Sequence, residues 1–427
     1  MESIRTDASL EHVPHKTNPV PSRNVGVVQT YSFAFQPLLV CLRVLGIELA
    51  PSSTIESSSK GERYKTFTLG VIFLVYNAFC NVYTTLTNGT KIIEDVNTTL
   101  NCSSTDGTNS TMKMSAVLSW NIIIDYVNYG ALAVIVHATL LSFSQQSKWE
   151  SLWNNVQRMH QEFKGIRRTM GRLTIAGLVI VFSETIAMVG FAVEFTEMTP
   201  GTRGFLPALL PAVFRLCAMV SYIYAGCSLL LFALIGWTAL LGLRSLQQQA
   251  AASSSRTSPS LTANETLTTL AKWKSLHVLV SDVVDGMNEC FGPILLIWIV
   301  HIFVGFIATP YYIIDGFYRS GSATRRLLPA SIYLMFQHTF HLLIITGIPN
   351  AIIQQAVAFG KQLQQIEFRD ANHLLEHNEK VNMLATEVLI ALPRITAMEY
   401  GDLELSLIPT MIGTTITYLV ILCQFDV

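Results

Sequence analysis

Apolar residues gather along this chain in long runs separated by polar, charged segments. A helix needs about 20 consecutive apolar residues to cross the hydrocarbon core of a bilayer, and seven stretches reach that length: roughly 66–87, 115–143, 173–195, 205–243, 291–315, 328–357 and 404–425. The pattern predicts an all-α polytopic membrane protein with seven transmembrane helices. A shorter run, FAFQPLLVCLRVLGIELA, carries Arg43 in its middle and reads as an interfacial or re-entrant helix. The polar segment before it has no apolar centre of the kind a cleaved signal peptide needs, so it is expected to stay in the cytosol.

Composition and charge narrow the picture. Half of the 427 residues are hydrophobic and only 13% are charged, against roughly 25% charged in soluble domains. The net charge of −1 gives no electrostatic reason to expect nucleic acid. With the N-terminus inside, 21 of the 28 Lys and Arg residues fall in cytosolic segments, and the positive-inside rule favours that orientation. Sequons at Asn88, Asn97, Asn101 and Asn109 lie in the loop between the first two spans, which marks it as a glycosylated outer loop. Both signals agree, and together they place the C-terminus of a seven-span chain outside, in the plasma membrane. Of seven cysteines only Cys102 lies clearly in the oxidising compartment, so no disulfide framework is implied.

The expected organisation is a cytosolic N-terminal segment with its interfacial helix (1–65), then a six-span bundle (66–357). That bundle would carry the glycosylated loop 88–113 and a mobile, low-complexity cytosolic loop 244–272. A cytosolic helical anchor region (358–403) follows, in which Leu363, Ile366, Leu374, Val381, Leu384 and Val388 recur at near-helical spacing. The chain ends on a terminal helix (404–427).

In that helix, Thr414, Thr417, Ile421, Gln424 and Phe425 fall on one face at steps of three and four. One reading has the threonines bonding the carbonyl four residues back. The other has the stripe lining an aqueous path, with Ile421 and Phe425 as a hydrophobic constriction, which requires a symmetric oligomer around this helix.

The stretch TYLVILCQF (417–425) resembles the signature of arthropod gustatory receptors, Thr-Tyr, five mostly apolar residues and Gln-Phe, at the place where that family has it. YGDLELSLIPTMIGTTI before it and PLLVCLRVLGI (37–47) are similar to the family's pattern as well. The resemblance implies a ligand-gated, non-selective cation channel: a homotetramer, with heteromers of related receptors as the alternative, whose last helices line the pore. It implies Ile421 and Phe425 as the gate, with Gln424 and Thr417 lining the pore and Tyr418 packing on adjacent helices. Leu419 stands where sweet-taste members often carry an acidic residue, and TYLVIL looks closer to the fructose-receptor-like branch.

Polar residues within the spans supply the ligand candidates, since intramembrane polar groups need protein, water or ligand as partner. In the expected orientation the outer halves hold Trp120, Asp125 and Tyr129 in the second span, Glu184 in the third and Arg215 in the fourth. The fifth adds Tyr311, Tyr312 and Asp315, and the sixth Tyr333, Gln337 and His338. Aromatic walls with a few acids, amides and a cation suit a small polar tastant such as a sugar. No cofactor or metal is expected. Two rivals stand beside this reading: an odorant-receptor-like subunit that needs a co-receptor, and a seven-span zinc hydrolase using His338 and His341 of QHTFH with His137 and His301. The second lacks an HExxH motif.

Overall fold

The computed structural model describes residues 35–38, 40, 135, 146–163, 165–197, 205–255, 263–318, 322–366 and 374–425. Seven α-helices make up this part of the chain: α1 Gln146–Glu162, α2 Ile166–Glu197, α3 Phe205–Ser255, α4 Ala263–Tyr318, α5 Ser322–Gln364, α6 Leu374–Ile390 and α7 Leu407–Phe425. Four helical segments are long and apolar enough to cross a membrane, Ile166–Ala187, Tyr222–Ser253, Leu267–Tyr311 and Leu328–Gln364, while Leu407–Ile421 is a shorter apolar helix. The first predicted span, all of the second but Ile135, the four sequons and most of the expected interfacial helix lie outside the described residues.

Helices α3 and α4 contain 51 and 56 residues. At 1.5 Å per residue each is about 80 Å long, far more than a hydrocarbon core of about 30 Å. Both therefore continue beyond the membrane at the end where α1 and α6 pack. This corrects the expectation of a mobile loop over 244–272. Helix α3 runs on to Ser255 and α4 begins at Ala263, leaving only 256–262 outside the described residues. Alanine and glutamine are good helix formers, and an apolar stripe hides in the low-complexity composition: Leu243, Leu246 and Ala250 on α3, then Leu270, Trp273 and Leu276 on α4, are all buried.

One continuous core joins the helices, with α5 packed between α3 and α4 and α7 resting mainly on α4. Close approach depends on glycine at a few crossings. A Cβ on Gly236 would meet Ile348 Cγ2 at 2.6 Å, and one on Gly242 would meet Met159 Cε at 2.5 Å. Helix α6 covers α5 and α4 with Val381, Leu384 and Val388, and Leu363 and Ile366 close the contact from the α5 side. At its outer surface Lys274 Nζ of α4 pairs with Glu387 Oε2 of α6 at 2.8 Å.

Helix α1 is amphipathic, with Trp149, Leu152, Trp153, Val156 and Met159 inward. Phe35 from the N-terminal segment closes its end, its ring edge-on to Trp153 at 5.4 Å and stacked on His160 at 5.5 Å. Burial pushes the His160 imidazole down to about 4, with Arg167 adding to the effect. Because the folded-state value is depressed, this site is fully stable above the unfolded value near 6.5 and loses stability as pH falls below it. Acidifying from pH 7.5 to 5 is therefore expected to cost about 2 kcal/mol at this site. Hydrogen exchange of α1 will show faster opening at pH 5 in the wild type, and His160→Phe will lose that pH dependence.

Candidate functional site

Three helices bring polar side chains together near the centres of the apolar stretches 173–195, 291–315 and 328–357. Helix α4 contributes Trp298 and His301, helix α5 contributes His338 and His341, and α2 contributes Glu184. Each pair is three residues apart, so both members share a helix face. The rings form a chain of edge-on contacts: Trp298 to His341 at 5.0 Å, Trp298 to His301 at 5.8 Å and His301 to His338 at 5.3 Å. His341 Nε2 lies 3.4 Å from Glu184 Oε2. The His338 ring occupies the space that a side chain on Gly305 would need, so it lies directly against the α4 backbone.

Burial makes this cluster expensive. Trp298 is 3% exposed and His338 and His341 are 5% exposed, yet among the described residues Trp298 Nε1 and the Nδ1 atoms of His301, His338 and His341 have no hydrogen-bond partner. A buried polar atom left in that state costs about 1–3 kcal/mol. Such a group of unsatisfied donors and acceptors, beside a carboxylate whose side chain is 18% exposed, is chemically fit to hold a polar small molecule. Among the described residues no three His, Cys, Asp or Glu side chains are grouped to hold a metal ion.

The other ligand candidates fall unevenly. Gln337 and Tyr311 are buried, and Tyr333 is half-buried on α5. Arg215, Tyr312 and Asp315 are helical, but their side chains are outside the described residues, as are Trp120, Asp125 and Tyr129 altogether. Sequence reasoning left Trp298, His301 and His341 out of the ligand set. Their signal was present as two i, i+3 pairs, Trp298 with His301 and His338 with His341, but nothing along the chain says that those two faces meet. An open polar groove along α1, lined by Ser151, Asn154, Asn155 and Arg158, has none of this chemistry.

The second arrangement is the terminal helix. Helix α7 turns Met411 and Thr415 into the bundle, and Tyr418 sets its ring edge-on to Phe303 of α4 at 6.5 Å. At 100° per residue, Thr410, Gly413, Thr417 and Gln424 fall on the opposite side and are exposed. Ile421, 40% exposed, borders this stripe, while Thr414 is half-buried at its edge and the Phe425 side chain lies outside the described residues. Ile412, Ile416 and Val420 form a separate exposed apolar flank. The threonines bond backward as one of the two sequence readings has it: Thr410 to Ser406 O at 3.0 Å, Thr414 to Thr410 O at 2.9 Å and Thr417 to Gly413 O at 3.0 Å. Each hydroxyl has thus given its proton to its own helix, and what it offers outward is oxygen lone pairs.

Comparison with known proteins agrees with this architecture. Two solved structures of the olfactory receptor OR5 from Machilis hrabei share the fold at 12% sequence identity. The form in complex with eugenol aligns over 92% of this chain and 98% of the receptor, with a TM-score of 0.57. The other aligns over 92% and 97%, with a TM-score of 0.60. No curated protein sequence matches the chain. The sequence profile of the family described as 7tm chemosensory receptor matches residues 35–427, nearly the whole length, and the chain, an all-α polytopic membrane protein, belongs to that family.

Proposed function

We propose that this chemosensory receptor is a gustatory receptor that acts as a ligand-gated, non-selective cation channel, opened by a small polar tastant from outside the cell. The observation that carries the reading is the polar stripe on the open side of α7. Thr410, Thr417 and Gln424 face away from the bundle; the threonine protons are served by their own helix, and what supports a water path is the Gln424 amide together with the row of hydroxyl oxygens, which find partners in water or protein and none in hydrocarbon. One α7 cannot enclose a water path, so the stripe calls for a symmetric ring of copies, a tetramer in this reading, with the apolar flank Ile412, Ile416 and Val420 against the neighbouring subunit. Back-bonded threonines present acceptor oxygens to that path and favour cations. Ile421 and Phe425 narrow it as a hydrophobic gate. The orientation is N-terminus inside and C-terminus outside, in the plasma membrane.

In this reading the mid-membrane cluster is the floor of the ligand pocket. Trp298 offers a ring edge and an N–H, the imidazoles offer donor or acceptor nitrogens, and Glu184 accepts hydrogen bonds, a set suited to a hydroxyl-rich ligand such as a sugar. Receptor family membership leaves no role for hydrolysis. An odorant-receptor-like subunit that conducts only beside a co-receptor is separated by expressing this chain alone and screening sugars, with fructose first, for calcium entry.

Two outcomes are expected in cells expressing the full chain. Ile421→Ala should raise ligand-independent current on the order of tenfold, equivalent to about 1.4 kcal/mol of lost closed-state stability; unchanged current at normal surface expression would remove Ile421 from the gate. Glu184→Gln should shift the half-maximal concentration of the active tastant upward by roughly tenfold, the scale of one buried charged hydrogen bond. It should also leave the basal current of the Ile421→Ala background intact, so equal sensitivity with and without the carboxylate would place the ligand elsewhere.

A further inference from the structure

Between α6 and α7 the chain makes a hairpin that none of the roles above uses. Thr396 and Asp402 pair as an antiparallel bridge. Leu403 N–H donates to Ile395 O at 3.0 Å, and Ala397 N–H to Gly401 O at 3.3 Å. At the tip Tyr400 N–H donates to Ala397 O at 3.1 Å, and the two residues between them, Met398 and Glu399, have φ of 53° and 62°. This is the geometry of a primed turn, for which Asn-Gly is the usual choice. Two residues with side chains in the left-handed region cost about 1–2 kcal/mol each, so the tip keeps its shape only because its surroundings hold it.

What holds it is one face of α4. The Asn288 carboxamide spans the stem: its Nδ2 donates to Arg394 O at 2.8 Å, and its Oδ1 accepts from Thr396 N–H at 2.9 Å. One side chain thus satisfies both outward-facing groups of the strand edge, as a neighbouring strand would. One helical turn on, Gly292 leaves room for the tip; a Cβ there would meet Met398 N at 3.2 Å. Ile395, Ala397 and Leu403 bury the stem, and Arg394 Nη1 closes its outer side on Asp402 Oδ2 at 2.5 Å. Pro293 follows Gly292 inside α4 and removes the backbone donor for the Glu289 carbonyl, which weakens the helix at the point where the hairpin docks. Ten residues beyond Asn288 on the same helix stands Trp298 of the polar cluster, and four beyond Leu403 α7 begins.

We infer that Asn288 is a positioning residue. Its carboxamide pins the 394–403 hairpin to α4 and so sets where the terminal helix stands against the bundle, making α4 the shaft between the ligand cluster and the pore helix. The transmission role rests on the channel reading above, whereas the positioning role does not. The test therefore reads position and current separately.

In full-length, surface-expressed receptor, a Phe303→Cys with Tyr418→Cys pair reports α7 against α4, and a Lys274→Cys with Glu387→Cys pair reports α6 against α4. Oxidative cross-linking with copper phenanthroline is read in the monomer band. Asn288→Ala is expected to lower the first cross-link roughly fivefold or more, the lower end of what losing two ordinary hydrogen bonds gives, and to leave the second unchanged. Asn288→Asp, which keeps the acceptor and loses the donor, should fall between. If Asn288→Ala does not reach the surface, Gly292→Ala, which presses a methyl onto the Met398 backbone, gives the same readings. An unchanged first cross-link, or equal losses in both pairs, overturns the positioning role. A selective loss of the first cross-link establishes it; if Asn288→Ala then leaves the basal current of Ile421→Ala receptors unaltered, the transmission role fails and the positioning role stands, whereas absence of any such current from surface-expressed Ile421→Ala receptors removes the channel reading alone.

Discussion

The bundle depends on α4 approaching α5 with no side chain between the two at Gly305, where the His338 ring lies against the α4 backbone. In a membrane the hydrophobic effect does not press helices together, because lipid tails are as apolar as leucine, so close packing and polar contact supply the attraction. The small residue at 305 permits both at once. It lets the helices meet, and in doing so it brings His301 and Trp298 onto His338 and His341. Any side chain at that position would separate the elements that make the cluster, so helix packing and site chemistry are one constraint here.

At the other end of the long helices the physics is different. Trp149 stacks edge-on against Phe291 at 5.1 Å, and Leu246, Ala250, Leu363 and Val388 are fully buried. Here water drives apolar burial in the ordinary way, and polar side chains can end contacts cheaply, as Lys274 does with Glu387. The two regimes meet on α4, which enters both. Its Gly292–Pro293 step lies between the water-driven packing of Trp273 and Met287 and the polar cluster at Trp298. A helix weakened there can change direction without dismantling either core.

Helix α7 stands apart from both. Among the described residues it touches α4 and little of α5, and much of its surface is exposed. Within the described residues its contacts are Met411, Tyr418 on Phe303, and the hairpin at its start. Few contacts mean a low free energy for displacement, which suits an element that moves. The polarity of its open side, with hydroxyl protons already committed to the helix, gives that motion a chemical consequence in the proposed channel.

Much of the architecture was legible along the chain. Runs of apolar residues long enough for a bilayer gave the helical membrane class, because a backbone in hydrocarbon has no other way to satisfy itself than a helix or a closed barrel. The relative angles of Thr414, Thr417, Ile421, Gln424 and Phe425 also follow from spacing on one helix, but which of them turn from the bundle does not: Thr414 is half-buried, and Thr410 and Gly413 share the open side with Thr417 and Gln424. The helices through 244–272 were not legible: their apolar stripe is diluted by serine and alanine, and only a partner surface on α1 and α6 gives Leu246 and Trp273 something to bury against. Nor could sequence show that Glu184, His301 and His341 converge, or that Asn288 reaches across to Arg394 and Thr396, more than a hundred positions away. Periodicity fixes where a side chain points on its own helix. Which helix it points at is decided by how all of them pack, a property of the whole bundle that no local window of the chain contains.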